Sequence, residues 1–450
     1  MSDTDSNQKT FHSLSSLKKR NKADSIPFRI ELIKELMDGN RLETIVDYDE
    51  KQTEYFAAPH KYFEIDEEES RDTNQVLNKK KYNFHKIIDQ IGGKLTYKKS
   101  GTTGHAFKGV IKLEDGEEIN YGVKVVAYPK RDKYGSMYNI NRPENAELKM
   151  IRLLSYFVIN QITPHIILPI ATFYTPIKPF VTLIEDDVVD VYTEFEEDGK
   201  IIKKDKNQKY VEFVKKYKKG YYHKYVSILL CEWANKRDFL DFIRKDYENY
   251  KEKGHTKIKP IYWKVFLFQI LSVLAHIQDK FPSFRHNDLK ANNILVHETE
   301  KKKGSRFKYK IDGKLYYVPN IGYQLKLWDF DFACIPGIVD NEKVNTKWTT
   351  EINVTPEKNR YYDIHYFFNT LIRKGFFPQF LTSSHVPDEA RDFVARIIPR
   401  KFRTGKRVHE RGRILVNHEY TTPKKILEKD PYFEEFRDGT YKKRNRSKYH

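Results

Sequence analysis

Residues 264–298 read KVFLFQILSVLAHIQDKFPSFRHNDLKANNILVHE, and this stretch constrains the fold more than any other. A long apolar run at helical spacing ends in the polar octapeptide His286–Asn293, and a short aliphatic run, ILV, follows at once. The pattern predicts a buried helix, a loop and a buried strand, with the loop held at both ends. Polar groups fixed in that way suit chemistry on a charged group. The Asp288 carboxylate could accept a proton from an attacking hydroxyl, Lys290 could offset a phosphate oxygen, and the Asn293 amide oxygen could ligate a divalent cation. The plainer alternative is a polar turn closed by its own Asx side chains.

The rest of the chain supplies the setting. From about residue 86 strand-like segments alternate: KLTYKK, HAFKGVIKL and INYGVKVVAY, the last two joined by a turn at EDGEE, 114–118. ENAELKMIRLLSYFVI has the spacing of a helix with one buried face. HIILPIATFY and KPFVTLIE read as strands, 185–222 as a charged inserted loop, and KYVSILLCEWA as a buried strand. Helical patterns then dominate: RDFLDFIRKDY, WKVFLFQILSVLAHIQD, YYDIHYFFNTLIRKG and EARDFVARII. Strands first and helices later predict an α+β protein with a small sheet lobe and a larger helical lobe.

Residues 1–80 read as an N-terminal extension, with about 25 disordered residues, one helical pattern (IPFRIELIKELM) and an acidic patch at 64–70; no chemistry is evident there. The two cysteines, Cys231 and Cys334, leave no disulfide framework and no zinc spacing. The N-terminus lacks the apolar core of a signal peptide, and the apolar runs read as too interrupted to span a bilayer, so a soluble intracellular chain is expected. A net charge of +19 favours acidic partners: acidic proteins, nucleic acid or an anionic surface. The basic clusters at 215–219, 300–306 and 400–413 are read as solvated loops, with binding of nucleic acid or an acidic partner as the alternative.

His286-Asn287-Asp288-Leu289-Lys290-Ala291-Asn292-Asn293 resembles the protein-kinase signature H-R-D-L-K-x-x-N, with Asn287 in place of arginine. Downstream, LKLWDFDFA resembles the D-F-G triplet, with Asp331 replacing glycine, which is expected to reduce backbone freedom there. Between them EKKKGSRFKYKIDGKLYY reads as an extra hairpin. Upstream, Gly101-x-x-Gly104-x-Ala106 resembles the end of a kinase glycine loop, with Lys99 at the first glycine position. YGVKVV resembles V-A-I-K and places Lys124 on an apolar strand. LLCEWANKRDFLDFI resembles the kinase hinge, YYDIHYFF the helix whose Asp363 braces the catalytic loop, and TTPKKILEKDPYFEEF a closing segment. No A-P-E triplet is evident; TPE at 355–357 is the nearest.

The resemblance covers about 90–437, and its D-F-D variant and YYDIHYFF are similar to the divergent serine/threonine kinases of poxviruses and other large DNA viruses. It implies a bilobal kinase-like fold with an antiparallel β-rich N-lobe carrying one main helix, at about 81–234, and a helical C-lobe at about 235–437. Charged insertions fall near 185–222 and 299–320, and 438–450 is a basic tail. It implies phosphoryl transfer from ATP with Mg2+ or Mn2+ to protein substrates, acidic or virion proteins among them, in infected-cell cytoplasm or the particle. Catalysis would rest on Asp288 and Lys290, and metal binding on Asn293 and Asp329. Nucleotide binding would rest on Gly101, Gly104, Ala106 and Lys124, paired to Glu147 with Glu144 as fallback. Cys231 would be the gatekeeper. Backbone groups of Glu232, Trp233 and Ala234 would meet adenine, and Asp238 or Asp241 the ribose. Lys290 favours serine/threonine over tyrosine kinases, and Asn287 implies activity independent of phosphorylation within 332–357, Thr346, Thr349 and Thr350 included. The competing readings are a pseudokinase or basic scaffold, a small-molecule or lipid phosphotransferase on this fold, and a nucleic-acid binder.

Overall fold

The computed structural model describes residues 25–38, 46, 48, 77, 79–91, 93–101, 104–112, 116, 118–131, 134–197, 200–300 and 304–438. All but Ser25 of the expected tail at 1–25, all but Asp438 of that at 438–450, the acidic patch at 64–70 and most of the 114–118 turn lie outside them. The described residues divide into two compact units: one up to Arg152 with Leu168–Trp233, the other Leu153–Ile167 with the residues from Ala234 on. Together they make the α+β, bilobal kinase-like fold.

The first unit is built on six strands: β1 (Lys80–Lys81), β2 (Gly93–Ser100), β3 (Gly104–Lys112), β4 (Glu118–Pro129), β5 (Pro169–Pro176) and β8 (Tyr222–Glu232), ordered β1-β5-β8-β4-β3-β2. Every pairing is antiparallel except the short β1–β5 contact. β4 lies inside the sheet, and Val123 and Val125 are buried on either side of Lys124, as expected for a strand paired on both edges. Glycine makes the β3–β4 pairing close. A Cβ at Gly104 would lie 1.8 Å from the Val125 carbonyl oxygen, and one at Gly109 would strike the Tyr121 ring. Helices α1 (Ile26–Asp38), α2 (Phe84–Ile91) and most of α3 (Pro143–Ile159) belong to the same unit, α3 opening on Pro143 and Glu144 where proline and an acid suit a first turn.

Two readings change in this unit. KPFVTLIE is not a strand: Lys178–Phe180 is a single 3-10 turn, and Pro176 and Pro179 have no N–H to give a ladder. The charged tract 185–222 is not a loop either. It folds as a hairpin, β6 (Tyr192–Glu197) with β7 (Lys200–Asp205), followed by α4 (Gln208–Lys218). Two aromatic residues anchor α4 despite its charge. The Tyr210 hydroxyl accepts the Leu183 N–H at 2.8 Å, and Phe213 packs on His105 with ring centroids 4.4 Å apart. Burial there pushes the His105 imidazole down to about 4.

In the second unit α5 (Phe239–Lys253) starts at Asp238, whose carboxylate accepts the Asp241 N–H and caps the helix. α6 (Pro260–Lys280) is long and apolar enough to cross a membrane by length and composition, contrary to the sequence reading, but Tyr262–Gln278 is buried within the protein. Phe268 packs against Tyr309 and Tyr316 of the hairpin β10 (Arg306–Ile311)–β11 (Lys314–Pro319), and against Phe433 and Phe436. α6 is therefore the core helix. A second antiparallel pair, β9 (Ile294–Glu298) with β12 (Tyr323–Leu327), follows the octapeptide, and α7 (Lys347–Glu351), α8 (Tyr362–Leu371), α9 (Asp388–Ile397) and α10 (Pro423–Lys429) complete the unit.

Candidate active site

The first unit holds one set of candidate residues. Lys124 Nζ meets Glu147 Oε1 at 2.5 Å, with the Glu147 side chain 5% exposed, while Glu144 is occupied by Arg142 at 3.2 Å. Gly101 N–H donates to the Gly104 carbonyl at 2.8 Å and closes the β2–β3 turn, with Ala106 opposite Lys99 beyond a bulge. Gly104 is thus required by strand packing whether or not a phosphate approaches it. Cys231 is buried, its thiol pushed up by burial, and it lies one residue before the end of β8, paired with Gly122. The Glu232 N–H is bonded to the Leu168 carbonyl. Its carboxylate accepts Arg29 at 2.6 and 2.8 Å and the Leu168 N–H at 2.7 Å. The N-terminal extension therefore does carry a buried contact: α1 supplies a bidentate arginine to the end of β8. Ala234 is buried, and Trp233 lies under Lys108 at 6.0 Å.

The second set is built around the octapeptide. Asp363, fully buried at the start of α8, accepts the N–H groups of His286 at 2.8 Å and Asn287 at 2.9 Å. Burial pushes its carboxyl up, and the two amides with the nearby His286 and Arg285 oppose that. The His286 Nε2–H donates to the Trp328 carbonyl at 3.1 Å, and the Trp328 N–H donates to the Asn293 carbonyl at 3.1 Å. These bonds tie the octapeptide to the D-F-D turn and bring the backbones of Asn293 and Asp329 together.

Asp288 is the focus of the polar side chains. Its Oδ2 accepts Lys290 Nζ at 2.8 Å and Asn293 Nδ2 at 3.0 Å, and its Oδ1 accepts Arg413 Nη2 at 2.5 Å. Asn293 Nδ2 also donates to the Asp288 carbonyl at 2.9 Å, which leaves its amide oxygen as the end suited to a cation. Arg413 was missed by sequence reasoning, because the cluster 400–413 reads as a solvated loop. It is buried, donates also to the Asn287 carbonyl and the Tyr362 hydroxyl, and lies 4.0 Å over the Tyr366 ring. The signal was its neighbour: ILV at 414–416 is an apolar run that a solvated loop does not need.

The departures from the kinase signature have local explanations. Asn287 has φ +62°, a conformation asparagine tolerates, and its Nδ2 donates to the Phe332 carbonyl at 3.1 Å. Arg285, one residue earlier, is buried and donates to Thr355 Oγ1 at 2.9 Å, the Glu357 carbonyl at 3.1 Å and the Asn353 carbonyl at 2.5 Å. The TPE segment is thus held by an arginine adjacent to the position where the signature has one. Within D-F-D the left-handed residue is Asp329, φ +63°, and not Asp331, so Asp331 costs no backbone freedom; it ion-pairs with Lys343. Thr346 and Thr349 form a capping box at the start of α7.

The braced loop with its acid, lysine and asparagine, the Asp two residues past β12, and the strand lysine paired to a helix glutamate are each of the kind that protein kinases carry, and comparison with known proteins shows a serine/threonine kinase. Residues 110–383 match the family model described as poxvirus serine/threonine protein kinase. A protein of Acanthamoeba polyphaga mimivirus named as a serine/threonine-protein kinase is 44% identical over 417 residues, covering 92% of this chain and 81% of that protein. Serine/threonine-protein kinase 2 of swinepox virus is 32% identical over 132 residues, 29% of this chain and 27% of that protein. Its fowlpox virus counterpart by name is 30% identical over 127 residues, 28% and 26%. The chain belongs to the poxvirus serine/threonine protein kinase family. Kinases of this kind use ATP and a divalent metal in general.

Proposed function

We propose that this chain transfers the γ-phosphoryl group of ATP to serine and threonine hydroxyls of proteins, with Asp288 orienting the hydroxyl and accepting its proton. The observation that carries the reading is the Asp288 carboxylate, gripped by Arg413, Lys290 and Asn293 on a loop that buried Asp363 holds from behind. A base that must meet a hydroxyl at one angle gains most from such fixing. Lys290, paired with Asp288, would offset charge on the transferred group, and Lys124, paired with Glu147, would meet the α- and β-phosphates. The Asn293 amide oxygen and the Asp329 carboxylate are hard oxygen donors that fit Mg2+ or Mn2+. Held there by these two side chains, such an ion would supply positive charge to offset that of the phosphates.

The site of action is an infected cell's cytoplasm or the virus particle; the viral origin of the relatives supports this. The test is transfer of γ-labelled phosphate from ATP, with magnesium or manganese, to casein, a basic protein and the enzyme itself. Phosphoserine or phosphothreonine formed by the wild type and lost in Lys124→Ala is the expected result. Nucleotide binding without any transfer would turn the reading toward a pseudokinase.

Activity should also survive phosphatase treatment. Arg285 and Asn287 already hold the 332–357 segment through neutral partners, and the Thr349 hydroxyl is engaged within its own helix cap. Fully dephosphorylated enzyme should keep its kcat within about threefold, since Arg285 is already engaged by that segment. An inert dephosphorylated preparation would refute this.

A further inference from the structure

The basic cluster at 400–413 does more than supply Arg413. Residues 407–415 form a closed hairpin: Leu415 N–H donates to the Arg407 carbonyl, His409 N–H to the Arg413 carbonyl and Gly412 N–H to the His409 carbonyl, each at 2.8 Å. Gly412 has φ +92°, which suits glycine at the turn. The tip is clamped from outside. Arg373 donates to the carbonyls of Glu410 and Arg403, both at 2.7 Å, and Asn369 of α8 donates to the Gly412 carbonyl at 2.9 Å. Asn353, just before TPE, donates to the Ile414 carbonyl at 2.9 Å. The hairpin is therefore rigid, and it joins the catalytic acid to the segment that ends the D-F-D loop.

Its charges divide. Arg413 is buried on Asp288, whereas Lys406, Arg407 and Arg411 are exposed. Glu410 at the tip is the opposing charge on this hairpin. Arg411 stands two residues before Arg413, whose guanidinium meets the Asp288 carboxylate and lies 4.0 Å over the Tyr366 ring; burial pushes the Tyr366 hydroxyl up, Arg413 and Arg411 pull it down, and Asp288 raises it. One tyrosine thus senses both the catalytic acid and an exposed arginine of the hairpin. Exposed cations on a rigid support that also carries the Asp288 contact can act as a charge filter on a peptide presented to Asp288.

We propose that the 406–411 side of this hairpin selects the substrate: Arg407 and Arg411, with Lys406, receive carboxylates flanking the phosphoacceptor, so the enzyme prefers acidic serine/threonine peptides. This rests on the kinase reading above and names its substrate class. A peptide with lysine or arginine at those places meets like charge and is disfavoured.

The test uses full-length enzyme and three peptides that share one serine, flanked by Asp/Glu, by Ala, or by Lys/Arg. Two to three solvent-exposed ion pairs should favour the acidic peptide over the alanine peptide by about tenfold in kcat/KM, chiefly through KM, and less at high salt. The double substitution Arg407→Glu/Arg411→Glu should reverse the order of acidic and basic peptides, and Arg407→Gln/Arg411→Gln should flatten it. Equal kcat/KM on all three peptides would overturn the proposal and leave the kinase reading standing. An acidic preference untouched by either variant would also overturn it, placing selection elsewhere. A flat peptide profile with salt-sensitive binding of duplex DNA, lost on charge reversal, would assign the hairpin to nucleic acid instead. No transfer to any peptide would remove the kinase reading and this inference together.

Discussion

Replacing Asp288 with asparagine should lower kcat by about 10²–10⁴-fold, the range general-base catalysis supplies, while ATP binding stays within a fewfold of the wild type. The argument is geometric and electrostatic. One carboxylate accepts bonds from Arg413, Lys290 and Asn293, so both of its oxygens are held and its plane is fixed. An asparagine has the size of the acid but offers one acceptor oxygen, and its NH₂ end must face a cationic donor. The side chain loses both the proton acceptor and the orientation. Lys124 and Glu147, in the other unit, are untouched, so nucleotide affinity measured by fluorescence or calorimetry should survive. A variant turning over within tenfold of the wild type would show that another group takes the proton, and the roles given to Lys290 and Asn293 would fall with it.

What could be read in the sequence was whatever lies contiguously along the chain. His286–Asn293, Asp329 and Lys124 are each recognisable within about ten residues, because a loop gripped by a helix and a strand must carry its polar chemistry in one stretch. The α+β division was legible for the same reason: strand and helix periods are local. Contacts across the chain were not. Arg413 is 125 positions from Asp288, in a segment whose composition looks solvated, and Arg29 is 203 from Glu232, on a helical pattern with no evident chemistry. Charge alone does not reveal which arginine of a basic run turns inward. The insertion 185–222 failed differently. Its Lys and Glu content hides two aromatic anchors, Tyr210 and Phe213, one helical turn apart, and these fasten α4 to the sheet. At Gly104 the sequence shows a match to a phosphate-loop position but not the packing demand, since the Val125 backbone that forbids a side chain there belongs to the neighbouring strand.

Arg413→Met should cost both stability and rate. Arg413 is 6% exposed and donates to the Asn287 carbonyl, the Tyr362 hydroxyl and Asp288. Taking away one partner of a buried charge pair costs about 3–5 kcal/mol, because the carboxylate is left uncompensated. For a domain of this size that is a fall of roughly 10 °C in the melting temperature. The catalytic loop should loosen as well, lowering kcat by about 10–100-fold, since small displacements of a positioned base are costly. KM for ATP should change little, as the partners of Arg413 are Asn287, Tyr362 and Asp288. Arg413→Lys would restore a cation but not the forked contact, so it should recover part of the melting temperature and less of the rate. The decisive comparison is a double-mutant cycle. If Arg413 acts through Asp288, its loss should have almost no further effect on the residual turnover of Asp288→Asn. Full additivity of the two losses would mean that Arg413 serves the fold alone, and that the catalytic acid is held well enough by Lys290 and Asn293.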